Sequence, residues 1–222
     1  MKNKFLKGVF ASFALAASGI ANASIIPYGA QIDVSSTTVT DDWGWNECYV
    51  TPGNSRGIAT STVLSGCTGN SLMMGVRLVG SDTYDLLGAA SFETVTEWVN
   101  LQSGSVVLDN WENGLNWYFN DYSWGFTTGN EIFQRSADTN IDVNWGSENN
   151  FNNVGLSWHT DPGVNLTAGW RFNKGGTAIN ANNSYERVWL TANVQEVPEP
   201  STVAIFALGL MGLASRKFKK QA

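Results

Sequence analysis

Short runs of β-branched and aromatic residues, separated every few positions by Gly, Asn or Asp, fill the chain from residue 24 to residue 196. This region lacks the 3.6-residue apolar repeat of a long amphipathic helix. Many short strands at close spacing are typical of sandwiches, so the sequence predicts an all-β fold, a single antiparallel β-sandwich of jelly-roll-like form. About 170 residues are enough for one domain with a sizeable core.

Ten segments of this region have the composition and length of strands. They are Gln31–Val39, Met73–Val79, Tyr84–Ala90, Thr94–Leu101, Ser105–Leu108, Leu115–Phe119, Asn140–Trp145, Gly155–His159, Val164–Phe172 and Glu186–Val194. A parallel α/β fold is disfavoured, because crossover helices of the usual length are missing from the pattern.

The first 23 residues have the three parts of a secretory signal peptide. Three lysines precede an apolar run over residues 9–20, and Ala21 and Ala23 form a small-x-small cleavage site. We therefore predict a signal helix over residues 1–23 and a mature chain that begins at Ser24. A retained membrane anchor is the alternative.

A different pattern fills residues 197–222. It begins with Val197, Pro198, Glu199, Pro200, Ser201 and Thr202. A twelve-residue apolar run, Val203–Ala214, and a cluster of four basic residues follow. Proline cannot continue a helix upstream, so a short apolar helix is predicted after an extended triplet. The run is short for a membrane core, which takes about 20 residues. Basic residues after it favour a cytoplasmic C-terminus.

This tail resembles the PEP-CTERM sorting signal of Gram-negative bacteria, in which V-P-E-P-S-T precedes an apolar helix and an Arg-rich end. Here the basic end mixes Lys with one Arg and is interrupted by Phe218. The resemblance implies transient anchoring in the inner membrane and cleavage by an exosortase at or near Pro198–Pro200. It further implies delivery of the body, residues 24–196, to the cell surface or the extracellular matrix, where exopolysaccharide is a partner. An ordinary tail anchor or a buried helix is the alternative.

The charge of the chain excludes one class of partner. Seven of the 13 basic residues lie in the two end segments, whereas all 19 acidic residues lie in Ser24–Pro200, which leaves that segment a formal charge of −13. Such a charge repels phosphate backbones, so nucleic acid is not an expected partner.

Two cysteines, Cys48 and Cys67, lie in the exported part with 18 residues between them. In an oxidising compartment they are expected to form a disulfide. Two free buried thiols are the alternative, because the sequence does not show their separation.

Tryptophan is the most unusual component of the body, with ten residues between Trp43 and Trp189. Aromatic rings beside Asn and Asp suit sugar binding, because a pyranose face stacks on a ring while amides and carboxylates bond its hydroxyls. The preferred glycan-binding cluster is Tyr118, Tyr122 and Trp124, because Asn120-Asp121 between them is typical of a turn. The alternative for each ring is a place in the core.

A short acidic run, Asp138, Asn140 and Asp142, has the alternating oxygen donors that suit calcium. The run departs from an EF-hand loop, since Val143 stands where the turn glycine belongs and Asn149 where the final glutamate belongs. On a strand the same residues would share one solvated face. Beyond this calcium hypothesis no cofactor is expected.

Catalysis has little support in the sequence. The single histidine, His159, has no recognisable nucleophile motif with it. Four glutamates, Glu93, Glu97, Glu112 and Glu131, could supply a glycosidase pair, but no two of them are distinguished. We therefore expect a carbohydrate-binding protein and not an enzyme. A structural component of the extracellular matrix without a discrete ligand and a glycan-active hydrolase are the alternatives.

Overall fold

The computed structural model describes residues 24–99, 105–107, 109–129, 131–133, 153–175, 179–180 and 183–194. All of these lie in one compact unit, Ser24–Val194. The predicted signal helix, the predicted C-terminal helix and the predicted strand Asn140–Trp145 lie outside the described residues.

The described elements are mostly short strands. In chain order these are β1 (Gln31–Ser35), β2 (Asn46–Pro52), β3 (Ile58–Ala59), β4 (Ser71–Leu78), β5 (Thr83–Ser91), β6 (Ser105–Val107), β7 (Trp111–Glu112), β8 (Leu115–Phe119), β9 (Ser123–Thr127), β10 (Glu131–Phe133), β11 (Gly155–Thr160), β12 (Asn165–Asn173), β13 (Ile179–Asn180) and β14 (Tyr185–Ala192). A π-helical turn (Thr38–Asp42) and two short helices, α1 (Thr60–Leu64) and α2 (Phe92–Thr96), complete them.

The strands form two large antiparallel sheets that pack as a sandwich, so the predicted all-β sandwich is confirmed. One sheet has five strands in the order β1-β5-β4-β14-β2. The other has seven, in the order β13-β12-β11-β9-β8-β7, with β3 paired to β12. β6 and β10 form a separate two-stranded sheet.

The main core lies between the two large sheets and is rich in aromatic rings. The seven-stranded sheet contributes Trp117, Trp124 and Trp158, and the five-stranded sheet contributes Trp189; all four are fully buried. Alternate residues of a strand point to one face, and on β8 the residues that face this core are Leu115, Trp117 and Phe119. These four tryptophans therefore lie in the core, which was the alternative to sugar binding.

A smaller core lies on the other face of the five-stranded sheet. There Met73 and Val188 pack with Val39 and Trp45 from the segment that surrounds the π-helical turn. The Trp45 Nε1–H donates to the Ile25 carbonyl at 2.7 Å. The N-terminal segment of the described chain is thereby held against this face of the sheet.

Cys48 and Cys67 form the predicted disulfide, with their Cα atoms 5.1 Å apart. Cys48 lies on β2, an outer strand of the five-stranded sheet, and Cys67 follows α1. The bond fixes the β2–α1 connection to the sandwich.

The predicted strand Thr94–Leu101 is wrong at residues 94–96, which belong to α2, and beyond this helix Trp98 forms a single bridge with Phe119. Ser91 begins this helix by accepting the Thr94 N–H with its Oγ at 3.2 Å. The same device shortens the predicted strand Gln31–Val39 to β1, since Ser35 Oγ accepts the Thr38 N–H. Local side-chain bonds of serine thus compete with the strand pattern. The sequence pattern did not predict β2, β9 or the short strands β3, β7, β10 and β13.

Candidate functional site: an aromatic edge of the seven-stranded sheet

The predicted glycan-binding cluster does not form one exposed surface. Tyr118 pairs with Gly125 across β8 and β9, whereas Trp124 pairs with Phe119, so Tyr118 and Trp124 point to opposite faces of the sheet. Tyr118 is 1% exposed and Trp124 is 0% exposed. The prediction that these rings stack together on a sugar is therefore wrong.

Each of the two buried rings has a structural hydrogen bond. Tyr118 Oη donates to the Leu156 carbonyl at 2.8 Å, across the width of β9. Trp124 Nε1 donates to the Val95 carbonyl at 2.8 Å and thereby ties α2 to the core. Tyr122 is half-buried, and its backbone N–H donates to Asn120 Oδ1 at 2.8 Å, which confirms the turn at Asn120.

Two other tryptophans lie on the surface of the described domain. Trp98 and Trp111 are each 47% exposed, whereas Trp45, Trp117, Trp124, Trp158 and Trp189 are buried. An exposed apolar patch that polar residues surround often marks a binding site, whereas single scattered apolar residues on a surface usually do not. The sequence reasoning missed both rings, because an exposed and a buried tryptophan have similar local sequences.

Both exposed tryptophans lie along the same edge of β8. Trp111 pairs with Asn116 at the start of β8, and Trp98 forms a bridge with Phe119 at its end. These two positions are three residue steps apart on the strand, about 10 Å at 3.3 Å per residue. Because three is an odd number of steps, Trp111 and Trp98 point to opposite faces of the sheet, so this edge offers one exposed ring on each face. We call the residues that line this edge, Trp98, Asp109, Asn110 and Trp111, the aromatic edge.

Asn110 holds the aromatic edge in place. Its Nδ2 donates to the Thr94 carbonyl of α2 at 3.1 Å, and its carbonyl accepts the Trp117 N–H of β8 at 3.0 Å. Its own N–H donates to Asn116 Oδ1 at 3.2 Å. Trp111 therefore follows a residue that is fixed both to the sheet and to a helix.

Trp98 is positioned from the other end of β8. The Val99 N–H donates to the Phe119 carbonyl at 2.9 Å, so this segment adds to the sheet edge for one residue pair. The Trp98 ring meets the Phe119 ring edge to face, with centroids 5.7 Å apart. One side of the indole is thus supported by the protein while about half of its surface stays in solvent.

The carboxylate of Glu112, next to Trp111, is held by hydrogen bonds within the domain. Its carboxylate accepts the Ser91 N–H at 2.7 Å and the Ser91 Oγ–H at 2.6 Å. Burial raises the pKa of Glu112, but the hydrogen bonds from Ser91 and Thr94 outweigh burial and hold the pKa below its usual range. Glu112 is therefore ionised at neutral pH and joins β7 to the end of β5.

Tyr28 lies beside the hairpin that β7 and β8 form. Its ring covers Gly114, at which an added Cβ would lie 2.8 Å from Tyr28 Cζ. Gly114 and Asn113 both have positive φ, as a tight two-residue hairpin turn between β7 and β8 requires. Asn113 Nδ2 donates to the Pro27 carbonyl and to the Ala89 carbonyl at 3.0 Å. Tyr28 is 79% exposed and adds an aromatic surface at the turn of this hairpin.

Most of the remaining predicted site residues lie outside the part of the chain that the structure describes. Ser24 is described, and its Oγ donates to the Gly44 carbonyl at 3.2 Å. The cleavage-site residues Ala21 and Ala23 and the calcium residues Asp138, Asn140 and Asp142 lie outside the described residues. His159 lies on β11, where its ring packs over Gly169.

The described residues lack both a metal-binding cluster and a membrane-spanning helix. These residues contain no group of three or more His, Cys, Asp or Glu that could hold a metal ion. Within the same part of the chain, no helix has the length and hydropathy of a membrane span.

Comparison with known protein families gives a match at the C-terminal tail of the chain. The family described as the PEP-CTERM protein-sorting motif matches residues 196–220. The chain carries a PEP-CTERM sorting motif. A search of curated proteins and a search of solved structures found no match.

The PEP-CTERM match confirms the prediction made from Val197–Thr202 and the residues that follow. A PEP-CTERM signal marks an exported protein that exosortase, a membrane protease, processes for the cell surface or the extracellular space. The match covers the tail alone, so the role of the body has to be argued from its own surface.

Proposed function

We propose that the body of this PEP-CTERM protein binds extracellular carbohydrate through the aromatic edge. The supporting observation is that Trp98 and Trp111, alone among the tryptophans whose exposure the structure describes, present about half of their surface to solvent. Five of the described tryptophans are buried in the cores, whereas these two leave about half of their surface where a ligand can reach it.

The chemistry of the aromatic edge suits a sugar chain. The C–H face of a pyranose ring can stack on an indole, and a large, stiff ring supplies contact area at a low entropic cost. Asp109 is exposed beside Trp111, and Glu97 is exposed beside Trp98. At each indole, the neighbouring carboxylate can accept hydrogen bonds from the hydroxyls of a sugar that stacks there.

The negative charge of the body favours some polysaccharides over others as the ligand. A formal charge of −13 over Ser24–Pro200 disfavours a polyanion that binds alone. A neutral polysaccharide, or an acidic one bridged by calcium, fits better. Calcium at Asp138, Asn140 and Asp142 remains part of this proposal.

The tail gives the proposed order of events. The apolar run Val203–Ala214 and the basic residues after it would hold the exported chain in the inner membrane for a time. Cleavage at or near Pro198–Pro200 would then free the body to reach the polysaccharide. In this proposal the body acts by binding and carries out no reaction.

The proposal is tested by co-sedimentation of the full-length chain with the exopolysaccharide of the producing strain, with and without calcium. The variants Trp98→Ala and Trp111→Ala should each reduce the bound fraction. Leu78→Ala is the matched control, because Leu78 is 45% exposed on the five-stranded sheet, away from β8. It should bind as the wild type does.

Equal binding by all four proteins would contradict a role for the aromatic edge. Absence of binding by folded wild-type protein would contradict the carbohydrate proposal for this polysaccharide. That second result would favour a structural component of the matrix, a role that requires a stable domain but no ligand-binding surface.

A further inference from the structure

Arg187 is a charged side chain in the interior of the sandwich. It lies on β14, is 0% exposed and points into the space between the two sheets. Its Nη2 donates to the Gly53 carbonyl and, at 2.7 Å, to the Thr167 carbonyl. These bonds tie the loop after β2 to β12.

The rest of the Arg187 guanidinium is unsatisfied. Nε and Nη1 are buried and have no acceptor within hydrogen-bond distance in the described part of the chain. These two atoms carry three of the five N–H donors of the group. Burial lowers the pKa of Arg187 to about 10, so the side chain still carries its charge at neutral pH.

No carboxylate balances this charge among the described residues. The ion pairs there use Arg77, with Glu47 and Glu186, and Lys174, with Asp33 and Asp85. A buried charge without a partner is costly, and a group left in that state normally pairs or loses its charge.

Two further donors in the same core lack an acceptor. The indole Nε1–H groups of Trp158 and Trp189 are buried and unpartnered in the described structure. Trp189 lies two residues after Arg187 on the same face of β14, and its ring centroid is 4.0 Å from that of Trp158. Indole and guanidinium groups can only donate, so the unpartnered groups of Arg187, Trp158 and Trp189 each require an acceptor.

We infer that the space between the sheets holds a small inorganic anion, bound to the free N–H groups of Arg187 and bordered by Trp158 and Trp189. An acceptor-only ligand with a single negative charge balances the guanidinium and satisfies its donors together. Because protein interiors are close-packed, a monatomic halide such as chloride fits better than phosphate or sulfate. The site is inside the domain and is independent of the aromatic edge and of carbohydrate binding.

Chloride is the probe for this site. Thermal unfolding of the full-length chain is followed while sodium chloride replaces sodium gluconate at constant ionic strength. Binding to the folded state raises the unfolding temperature by mass action. We expect a saturable rise in the wild type and no chloride dependence in Arg187→Met, which has a side chain of similar length without charge. Arg77→Met, at a surface ion cluster, is the control and should keep the chloride response.

Trp158→Phe keeps an aromatic ring and removes one indole donor, so the test does not depend on the folding of Arg187→Met. This variant should need a several-fold higher chloride concentration for half of the effect. An unchanged wild-type unfolding temperature across the chloride series would overturn the inference and leave ordered water as the only acceptor. A chloride response of equal size in the wild type and Arg187→Met would overturn it as well.

Discussion

The indole rings of Trp158 and Trp189 lie 4.0 Å apart, centroid to centroid, and join the two sheets of the sandwich. Trp158 belongs to β11 of the seven-stranded sheet and Trp189 to β14 of the five-stranded sheet. Trp124 meets both rings, at 6.0 and 5.7 Å. Three tryptophans thus form the centre of the core, and the stability of the domain depends on them.

Truncation of Trp189 should destabilise the domain strongly. Trp189→Ala removes a fully buried ring from the sheet interface, and such changes cost about 3–5 kcal/mol. Urea denaturation followed by circular dichroism measures the loss. Trp111→Ala, at the exposed edge, should change the free energy of unfolding by less than about 0.5 kcal/mol. Similar losses in both variants would show that the core is not organised around Trp189.

Loss of the disulfide should also lower stability. The bond between Cys48 and Cys67 closes a loop with a sequence separation of 19, for which the chain-entropy model gives about 3 kcal/mol. The double variant Cys48→Ala/Cys67→Ala should unfold at lower urea than the oxidised wild type. Reduced wild type should unfold close to the double variant, and a reduced protein as stable as the oxidised one would contradict this account.

Glu112 should make the free energy of unfolding depend on pH in the acidic range. Because its pKa is held below the usual carboxyl range, its contribution is complete at neutral pH and is lost as the pH falls through that lowered value. The stability difference between wild type and Glu112→Gln should therefore be constant near pH 7 and shrink below about pH 4, where carboxylates take up protons. Glu97→Gln, at an exposed glutamate, is the control. A difference that is the same at pH 7 and pH 3 would argue against the Ser91 contact.

Gly125 should not tolerate a side chain. A Cβ at this position would lie 1.8 Å from the Leu156 carbonyl oxygen and 2.9 Å from Tyr118 Oη. Gly125→Ala must therefore displace β11 or the Tyr118 ring, at a cost of about 1–3 kcal/mol or more. Gly80→Asn tests the opposite case, since an added Cβ there meets nothing within 4 Å and Asn tolerates positive φ. Equal stability of the two variants would be inconsistent with this packing.

Much of the fold could be predicted because the strand pattern is strong where strands are long and buried. The segment Leu115–Phe119 was predicted with its observed bounds, and β4, β5 and β14 to within two residues at each end. The prediction failed where a single polar side chain reorganised the backbone, as Ser91 does at the start of α2. It also missed β9, because Gly125 has a low strand propensity and its place is set by the close approach of Tyr118 and Leu156.

The candidate site was less predictable, because exposure is a tertiary property. Tyr118 and Trp124 stand six residues apart on neighbouring strands, and only the register of β8 against β9 shows that they face opposite sides. Trp98 and Trp111 stay on the surface because they border the outer edge of β8, a position that the sequence around them does not encode. The sorting signal, in contrast, is a contiguous motif and could be recognised from its residues alone.

The most direct test of the central claim is a titration of the full-length chain with the exopolysaccharide of its own strain, followed by tryptophan fluorescence. The wild type and the double variant Trp98→Ala/Trp111→Ala are compared after both are shown to be folded. We predict a saturable signal in the wild type and at least a tenfold weaker affinity in the double variant, about 1.4 kcal/mol or more. Equal affinities would contradict carbohydrate binding at the aromatic edge.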